Sequence, residues 1–230
     1  MKISVIGTGL AGRALAAKIA HAGHAVVLGT RDPDQTLART ETSPTGAPPI
    51  GPWHDAHRNI PLVALAEAGG HGELIVNATA GTASLAALHA TAPHDGKIIM
   101  DVANPLDFSR GFPPTLSVCN TDSLAEQIQR EFPAARVVKT FNTMNHLVMV
   151  DPHRLPRPHN VFVAGDDPGA KATVSGLLEQ IGWPPADILD LGGISSARAM
   201  EMYLPLWLAL LQSLGSWDFN IRIVRPEQSG

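Results

Sequence analysis

Residues 2–31 read KISVIGTGLAGRALAAKIAHAGHAVVLGTR, and their order decides the fold. Residues 2–6 are a short β-branched run that stops at a glycine, the pattern of a buried strand. Residues 10–22 are rich in Ala and Leu and predict a helix, with Gly23 where a helix commonly ends. Residues 25–30 predict a second strand. A strand, a helix and a strand within about thirty residues make a βαβ unit. Between the first strand and the helix lies Gly7-Thr8-Gly9-Leu10-Ala11-Gly12, a G-x-G-x-x-G in the context that gives this spacing meaning. Gly7 permits a tight turn, Gly9 lets a pyrophosphate approach the backbone, and Gly12 lets the helix pack on the strand. The first turn of the helix offers free N–H groups and a partial positive charge to phosphates.

The end of the second strand selects the dinucleotide. An NAD site carries Asp or Glu there for the ribose hydroxyls, whereas an NADP site removes that charge and adds an Arg for the 2′-phosphate. This chain reads Gly29-Thr30-Arg31-Asp32. Thr30 stands at the acidic position, and Arg31 can pair with the phosphate. A register slip of two would make Asp32 the ribose acid. Asp32-Pro33 is also a helix start with Asp as N-cap, and that role is preferred. NADP is therefore the expected cofactor.

Outward from this unit, residues 31–58 lose regularity. Pro33, Pro44, Pro48, Pro49 and Pro52, with Gly46 and Gly51, predict a loop with at most a short helix after Asp32. Strands are predicted at 59–62, 73–78, 97–102, 136–141, 161–164 and 188–191. Helices are predicted at 63–68, from the strand at 73–78 through about 90, and at 123–132, 168–181 and 196–214. The alternation predicts an α/β, Rossmann-type, doubly wound and mainly parallel sheet with a small α/β C-terminal unit. We expect a boundary near Asn145. Residues 1–145 would form the NADP-binding domain, and residues 146–230 would complete the substrate pocket and supply a dimer interface.

Apolar residues make up 44% of the 230, charged residues 17%, and the net charge is −4 without a Lys/Arg cluster. That composition fits a folded domain and argues against a nucleic-acid surface. Residues 202–211 are too short to span a bilayer and contain Pro205, and the N-terminus lacks signal-peptide order, so no membrane partner and a cytoplasmic location are expected. Cys119, the single cysteine, reads as a packed thiol. His54 and His57 lie in the Pro-rich loop without a carboxylate at helical spacing, so no metal site is expected. Met200, Leu204, Trp207, Leu208 and Leu211 form an apolar helical stripe suited to a core or a dimer interface.

Ligands of open parallel sheets bind beyond the carboxyl ends of the strands. Those ends carry Asn77-Ala78-Thr79-Ala80-Gly81, Asn104-Pro105-Leu106 and Thr140-Phe141-Asn142-Thr143. Together they offer small neutral groups that suit a nicotinamide ribose and a flat heterocycle. Lys139 and Asp101 precede strand ends and could face either side, and His146 reads as a loop residue. No catalytic acid or base is assigned. Hydride transfer between two redox cofactors needs alignment and exclusion of water more than it needs a proton donor. Reduction of a ketone or imine does need one.

The series VIGTGLAG, GTRDP, ELIVNAT, MDVANPL, VVKTFNT, VFVAGDD and LGGISSARAMEMYLPLW, in this order, resembles the deazaflavin (coenzyme F-420)-dependent NADP oxidoreductase family over nearly the whole chain. It is similar also to the flavin-using cytosolic reductase domain of six-transmembrane metalloreductases. The resemblance implies a dinucleotide-binding domain with a small C-terminal unit, commonly assembled as a homodimer. It implies Thr8, Thr30 and Arg31 as NADP phosphate contacts and Thr79 and Ala80 as neighbours of the ribose and nicotinamide. Asn104, Pro105, Asn142 and Thr143 would border the redox partner. The chain departs from the pattern in its Pro-rich segment after Arg31, and in carrying Phe-Asn within VVKTFNT where deazaflavin users have Leu-His or similar.

These readings converge on an NADP-dependent oxidoreductase that moves hydride between NADP(H) and a small-molecule acceptor, either coenzyme F-420 or a flavin (FMN or FAD). Gly7, Thr8, Gly9, Leu10, Ala11, Gly12, Thr30, Arg31, Thr79, Ala80 and Asn104 are the expected cofactor contacts, and Pro105, Asn142 and Thr143 the expected substrate contacts. Two rivals share the same turn. One is an imine or hydroxy-acid reductase, which normally needs a longer helical C-terminal half; the other is a non-catalytic NADP(H) sensor.

Overall fold

The βαβ unit forms as its sequence dictates: β1 (Lys2–Ile6), α1 (Leu10–His21) and β2 (Ala25–Thr30), with β1 and β2 parallel. The computed structural model describes residues 1–43 and 46–226, so Pro44 of the Pro-rich loop lies outside the described residues. After β2 come α2 (Pro33–Leu37), α3 (Gly51–Ala56), β3 (Leu62–Ala64), α4 (Leu65–His71), β4 (Leu74–Asn77), α5 (Ser84–Ala90) and β5 (Ile98–Asp101). A two-stranded antiparallel ribbon follows, β6 (Leu106–Asp107) with β7 (Thr115–Leu116). The chain continues with α6 (Leu124–Glu131), β8 (Arg136–Thr140), α7 (His146–Val150), β9 (Val161–Ala164), α8 (Pro168–Gln180), β10 (Ile188–Asp190), α9 (Ala197–Met202) and α10 (Leu204–Leu214).

Among the described residues the main sheet has eight strands in the order β10-β9-β8-β5-β4-β1-β2-β3. The six from β3 to β8 run parallel, β9 is antiparallel to β8, and β10 is parallel to β9. The fold is thus Rossmann-type α/β with a mainly parallel sheet. The sheet runs on past residue 145, because β9 and β10 extend it beyond β8.

Side chains alternate between two cores, as strand geometry requires. Ile3, Val5, Leu74, Val76, Ile98, Met100 and Val138 face one core, which α1, α7 and α8 cover. Ile6, Ile75, Ile99 and Val137 face the other, under α4, α5 and α6. Burial on both faces explains why these strands read as nearly continuous apolar runs.

Several elements depart from the sequence expectation. The helix expected at 63–68 begins at Leu65, because residues 62–64 pair with β2 as β3. The Pro-rich loop contains α3, and its Ala47 and Ile50 are buried in the core. The helix expected over 196–214 is two helices, α9 and α10, meeting at Tyr203. Pro205 lacks the N–H that a continuous helix would use, so it sits in the first turn of a new one. Cys119, expected to be packed, is exposed. No helix among the described residues is long and apolar enough to cross a membrane.

Candidate functional site

From β1 the chain winds to β2 and β3 on one side, and from β4 to β5 and β8 on the other. The carboxyl ends of β1 and β4 therefore flank the switch point, where ligands of such sheets bind. The glycine turn fills this place, and each glycine is there for a different reason. Gly7 has φ +107°, and a Cβ on it would lie 2.4 Å from the Ala78 carbonyl oxygen at the end of β4. A Cβ on Gly12 would lie 1.9 Å from the Gly7 carbonyl oxygen. Both are packing requirements of the turn. A Cβ on Gly9 would meet nothing within 4 Å, so the space above Gly9 is open to a ligand.

Gly9 is also the N-cap of α1, and no side chain caps the helix. Arg13 N makes the first intrahelical bond, to Gly9 O at 3.0 Å. The N–H groups of Leu10, Ala11 and Gly12 thus remain donors facing the turn, a ready cradle for phosphate oxygens. At the end of β2, the Thr30 and Thr36 hydroxyls bond at 2.8 Å. Asp32 caps α2, its Oδ1 accepting from Gln35 N at 2.9 Å, which is the helix-start role read from Asp32-Pro33. Arg31 is exposed beside it and forms no ion pair among the described residues.

The other strand ends reach the same rim. A Cβ on Gly81 would lie 2.1 Å from the Asn104 carbonyl oxygen, so the loop after β4 presses on the loop after β5. Thr79 is half-buried, and Ala80 is exposed. Asn104 and Asn142 clasp each other: Asn104 Nδ2 donates to Asn142 O at 2.9 Å, and Asn142 Nδ2 to Asn104 Oδ1 at 2.9 Å. Asn142 Nδ2 also donates to Met200 O of α9 at 3.0 Å. Phe141, with φ 62°, turns the chain sharply between β8 and Asn142. Pro105 is buried, and Asn142 and Thr143 are each 2% exposed. The structure thus places Thr8, Gly9, Leu10, Ala11, Thr30, Arg31, Thr79 and Ala80 at or near the surface of the rim. It places Asn142 and Thr143 beneath it, where Asn142 ties three segments together.

Three further charged groups, Asp101, Lys139 and Glu201, are buried below the rim. In register across three neighbouring strands stand Asn77, Asp101 and Lys139. Asn77 Nδ2 donates to Asp101 Oδ1 at 2.8 Å, and Lys139 Nζ to Asp101 Oδ2 at 2.7 Å. Lys139 also pairs with Glu201 of α9 at 2.7 Å. Glu201 accepts further bonds from Leu124 N and Ala125 N at the start of α6. Burial works against the Lys139 ammonium, but the two carboxylates outweigh it and hold its pKa above the ordinary value. Burial pushes Glu201 upward, with Lys139 opposing. At its other end the row reaches the rim, for Thr79 Oγ1 donates to Asn77 Oδ1 at 2.7 Å.

The sequence reading named Lys139 and Asp101 without a side and missed Glu201 and Arg13. Glu201 is the only acid between Asp190 and Asp218, and Arg13 directly follows the glycine motif. Those were the available signals. His57 uses Nδ1 to bond Trp53 O at 2.7 Å and stacks on the Trp53 ring.

A model described as NADP oxidoreductase coenzyme F420-dependent matches residues 2–105. A crystal structure from Arthrobacter sp. FB24, described as a candidate F420-dependent NADP-reductase, superposes with a TM-score of 0.92 at 51% identity, covering 98% of this chain and 100% of that one. The chain belongs to the coenzyme F420-dependent NADP oxidoreductase family. Within the family, the F420-dependent NADP reductase of Methanothermobacter marburgensis is 28% identical over 215 residues, 91% of this chain and 92% of that protein. The metalloreductase STEAP3 of Rattus norvegicus is 29% identical over 239 residues, 98% of this chain. The chain spans only 43% of that protein's length.

Proposed function

We propose that this member of the family transfers hydride between NADP(H) and a deazaflavin or flavin acceptor, coenzyme F420 or FMN/FAD. The observation that carries the proposal is the segregation of charge. Apart from Arg31 at the cofactor end, glycine and neutral residues form the rim, while Asp101, Lys139 and Glu201 are locked in a buried network below it. Such a crevice can align two flat rings and exclude water, while the buried acids and lysine below it are bonded to one another instead of being free to protonate a carbonyl oxygen or an imine nitrogen.

The residues suit NADP(H). The open space at Gly9 and the free N–H groups of Leu10, Ala11 and Gly12 fit the diphosphate. Arg31, which forms no ion pair among the described residues, fits the 2′-phosphate beside Thr30. Thr8, Thr79, Ala80 and Asn104 complete the cofactor side, and Pro105, Asn142 and Thr143 back the acceptor side. The nicotinamide supplies the hydride chemistry when bound. The chain orients the two rings and keeps water out. In this reading residues 1–145 hold the dinucleotide, and residues 146–230 close the acceptor side and carry a homodimer interface on α10.

The test mixes purified protein with NADPH or NADH and with coenzyme F420, FMN, FAD or no acceptor, and follows absorbance. We expect NADPH oxidation with a deazaflavin or a flavin and slower use of NADH. Turnover with free flavin alone would remove the deazaflavin reading. Binding without turnover on any acceptor would make the chain a sensor. Arg31→Ala should erase most of the NADPH-over-NADH preference, a change of about tenfold or more for a lost charge-assisted contact. An unchanged preference would refute the role of Arg31.

A further inference from the structure

Arg13 stands where helix electrostatics disfavour it. It is the fourth residue of α1, near the positive end of the helix dipole, where an acid is stabilised and a cation is not. It is only 8% exposed. The first turn of α1 holds no acidic residue. The guanidinium donates from Nε to Thr8 O at 2.7 Å, from Nη2 to Pro48 O at 2.8 Å and from Nη1 to Pro49 O at 3.4 Å. These acceptors are neutral carbonyls, which orient the fork without cancelling its charge. No carboxylate among the described residues pairs with it, and burial draws its pKa below the ordinary value. A buried cation without a counter-ion is a cost to the fold. A local rule broken without compensation in the protein itself marks a functional position.

The anchors of the fork point to the missing anion. Thr8 belongs to the glycine turn, so one branch of Arg13 is tied to the loop that would hold a dinucleotide diphosphate. The other branch is tied to Pro48 and Pro49, which lie between the buried Ala47 and Ile50. This part of the Pro-rich segment is therefore a fixed wall beside the turn. A diphosphate carries about two negative charges, and the helix end offers about half a positive one. The helix end alone leaves most of that charge uncompensated. One guanidinium close to the turn makes up most of the difference.

We propose that Arg13 recognises the diphosphate of the dinucleotide, as the positive charge beneath the glycine turn, and that the same fork holds the Pro48–Pro49 wall in place. This rests on the NADP(H) reading above. Because the diphosphate is common to NADPH and NADH, Arg13 acts on both cofactors, whereas Arg31 acts on the 2′-phosphate alone.

The experiment measures NADPH and NADH dissociation constants for the full chain, Arg13→Met, Arg13→Lys and Arg31→Ala, by cofactor fluorescence across a salt series. Arg13→Met should weaken NADPH and NADH by the same factor, about tenfold to a hundredfold for a lost charged contact, with a shallower salt dependence. Arg13→Lys keeps the charge but cannot span the carbonyls. It should keep the salt dependence and weaken both cofactors less. Arg31→Ala should weaken NADPH alone. If Arg13→Met does not fold, the lysine variant carries the test through its equal effect on the two cofactors. Unchanged affinities in either folded variant, or a loss confined to NADPH, would overturn the proposal. Failure of the unmodified chain to bind NADPH would instead overturn the NADP(H) reading.

Discussion

Two glycines of the turn separate packing from binding. Gly12 has no room for a methyl group, since its Cβ would press on the Gly7 carbonyl, while Gly9 faces open space. Gly12→Ala should therefore cost about 1–3 kcal/mol of stability, the range for overpacking a tight contact. Gly9→Ala should cost no more than about 1 kcal/mol, the usual size of replacing a favourable N-cap residue by alanine, yet lose NADPH binding because its methyl group occupies the ligand's space. Thermal melts with and without NADPH check both. Equal destabilisation by the two substitutions would show that Gly9 is a packing glycine as well. Residues of this kind were legible in the sequence because their meaning is local: a turn, a strand end, a cap such as Asp32. The row Asn77-Asp101-Lys139 was not. Each member lies at or next to the end of a strand in its own segment, and only the parallel register sets the three side by side. Glu201 was harder still, because it arrives from α9 after the chain has crossed the whole sheet.

Elements were legible where periodicity was strong and failed where a turn or a proline intervened. α1 and α8 follow their patterns almost to the residue, whereas the apolar run after residue 196 conceals the break at Tyr203 before Pro205. The start of α6 shows what sets an element's tolerance to acid. Ser123 caps the helix through Glu126 N, and Glu126 is held by both branches of Arg198. Just before the cap, the Arg130 guanidinium grips Asp122 through two bonds and lowers its pKa from 3.8 to about 2. Because this folded value lies below the unfolded one, the pair stabilises the protein above pH 3.8 and loses that contribution as the pH falls towards about 2. Asp122→Asn should accordingly lower the melting temperature at pH 6, and the gap from the unmodified chain should narrow steadily below pH 4. A gap that stayed constant down to pH 3 would assign the effect to packing instead of ionisation.

The mainly parallel character of the main sheet followed from the glycine turn and the alternation of elements, but the outer surface of the molecule did not. α10 buries Leu204, Trp207, Leu208 and Leu211 against the ribbon of β6 and β7 and the chain near Phe219. Its opposite side presents Leu206 at 56% and Leu214 at 57% exposure, with Trp217 at 54% just beyond. No charged residue occurs from 202 to 217. A surface helix without charge is poorly suited to solvent and well suited to a partner. The homodimer proposed here uses this face. An eleven-residue helix is only about 16 Å long, too short by itself for the roughly 800 Å² per partner of a stable interface. The exposed Phe108 and Phe112 between β6 and β7, with Trp217, must add to it. Twofold symmetry makes the prediction sharp, because each substitution enters the interface twice. Leu206→Glu or Leu214→Glu places two new carboxylates in one apolar contact. Sedimentation should find a dimer for the unmodified chain and a monomer for either variant, with NADPH binding kept because the glycine turn lies elsewhere on the sheet. A monomeric unmodified chain, or variants that stay dimeric, would move the interface off α10 and leave its apolar face to another occupant.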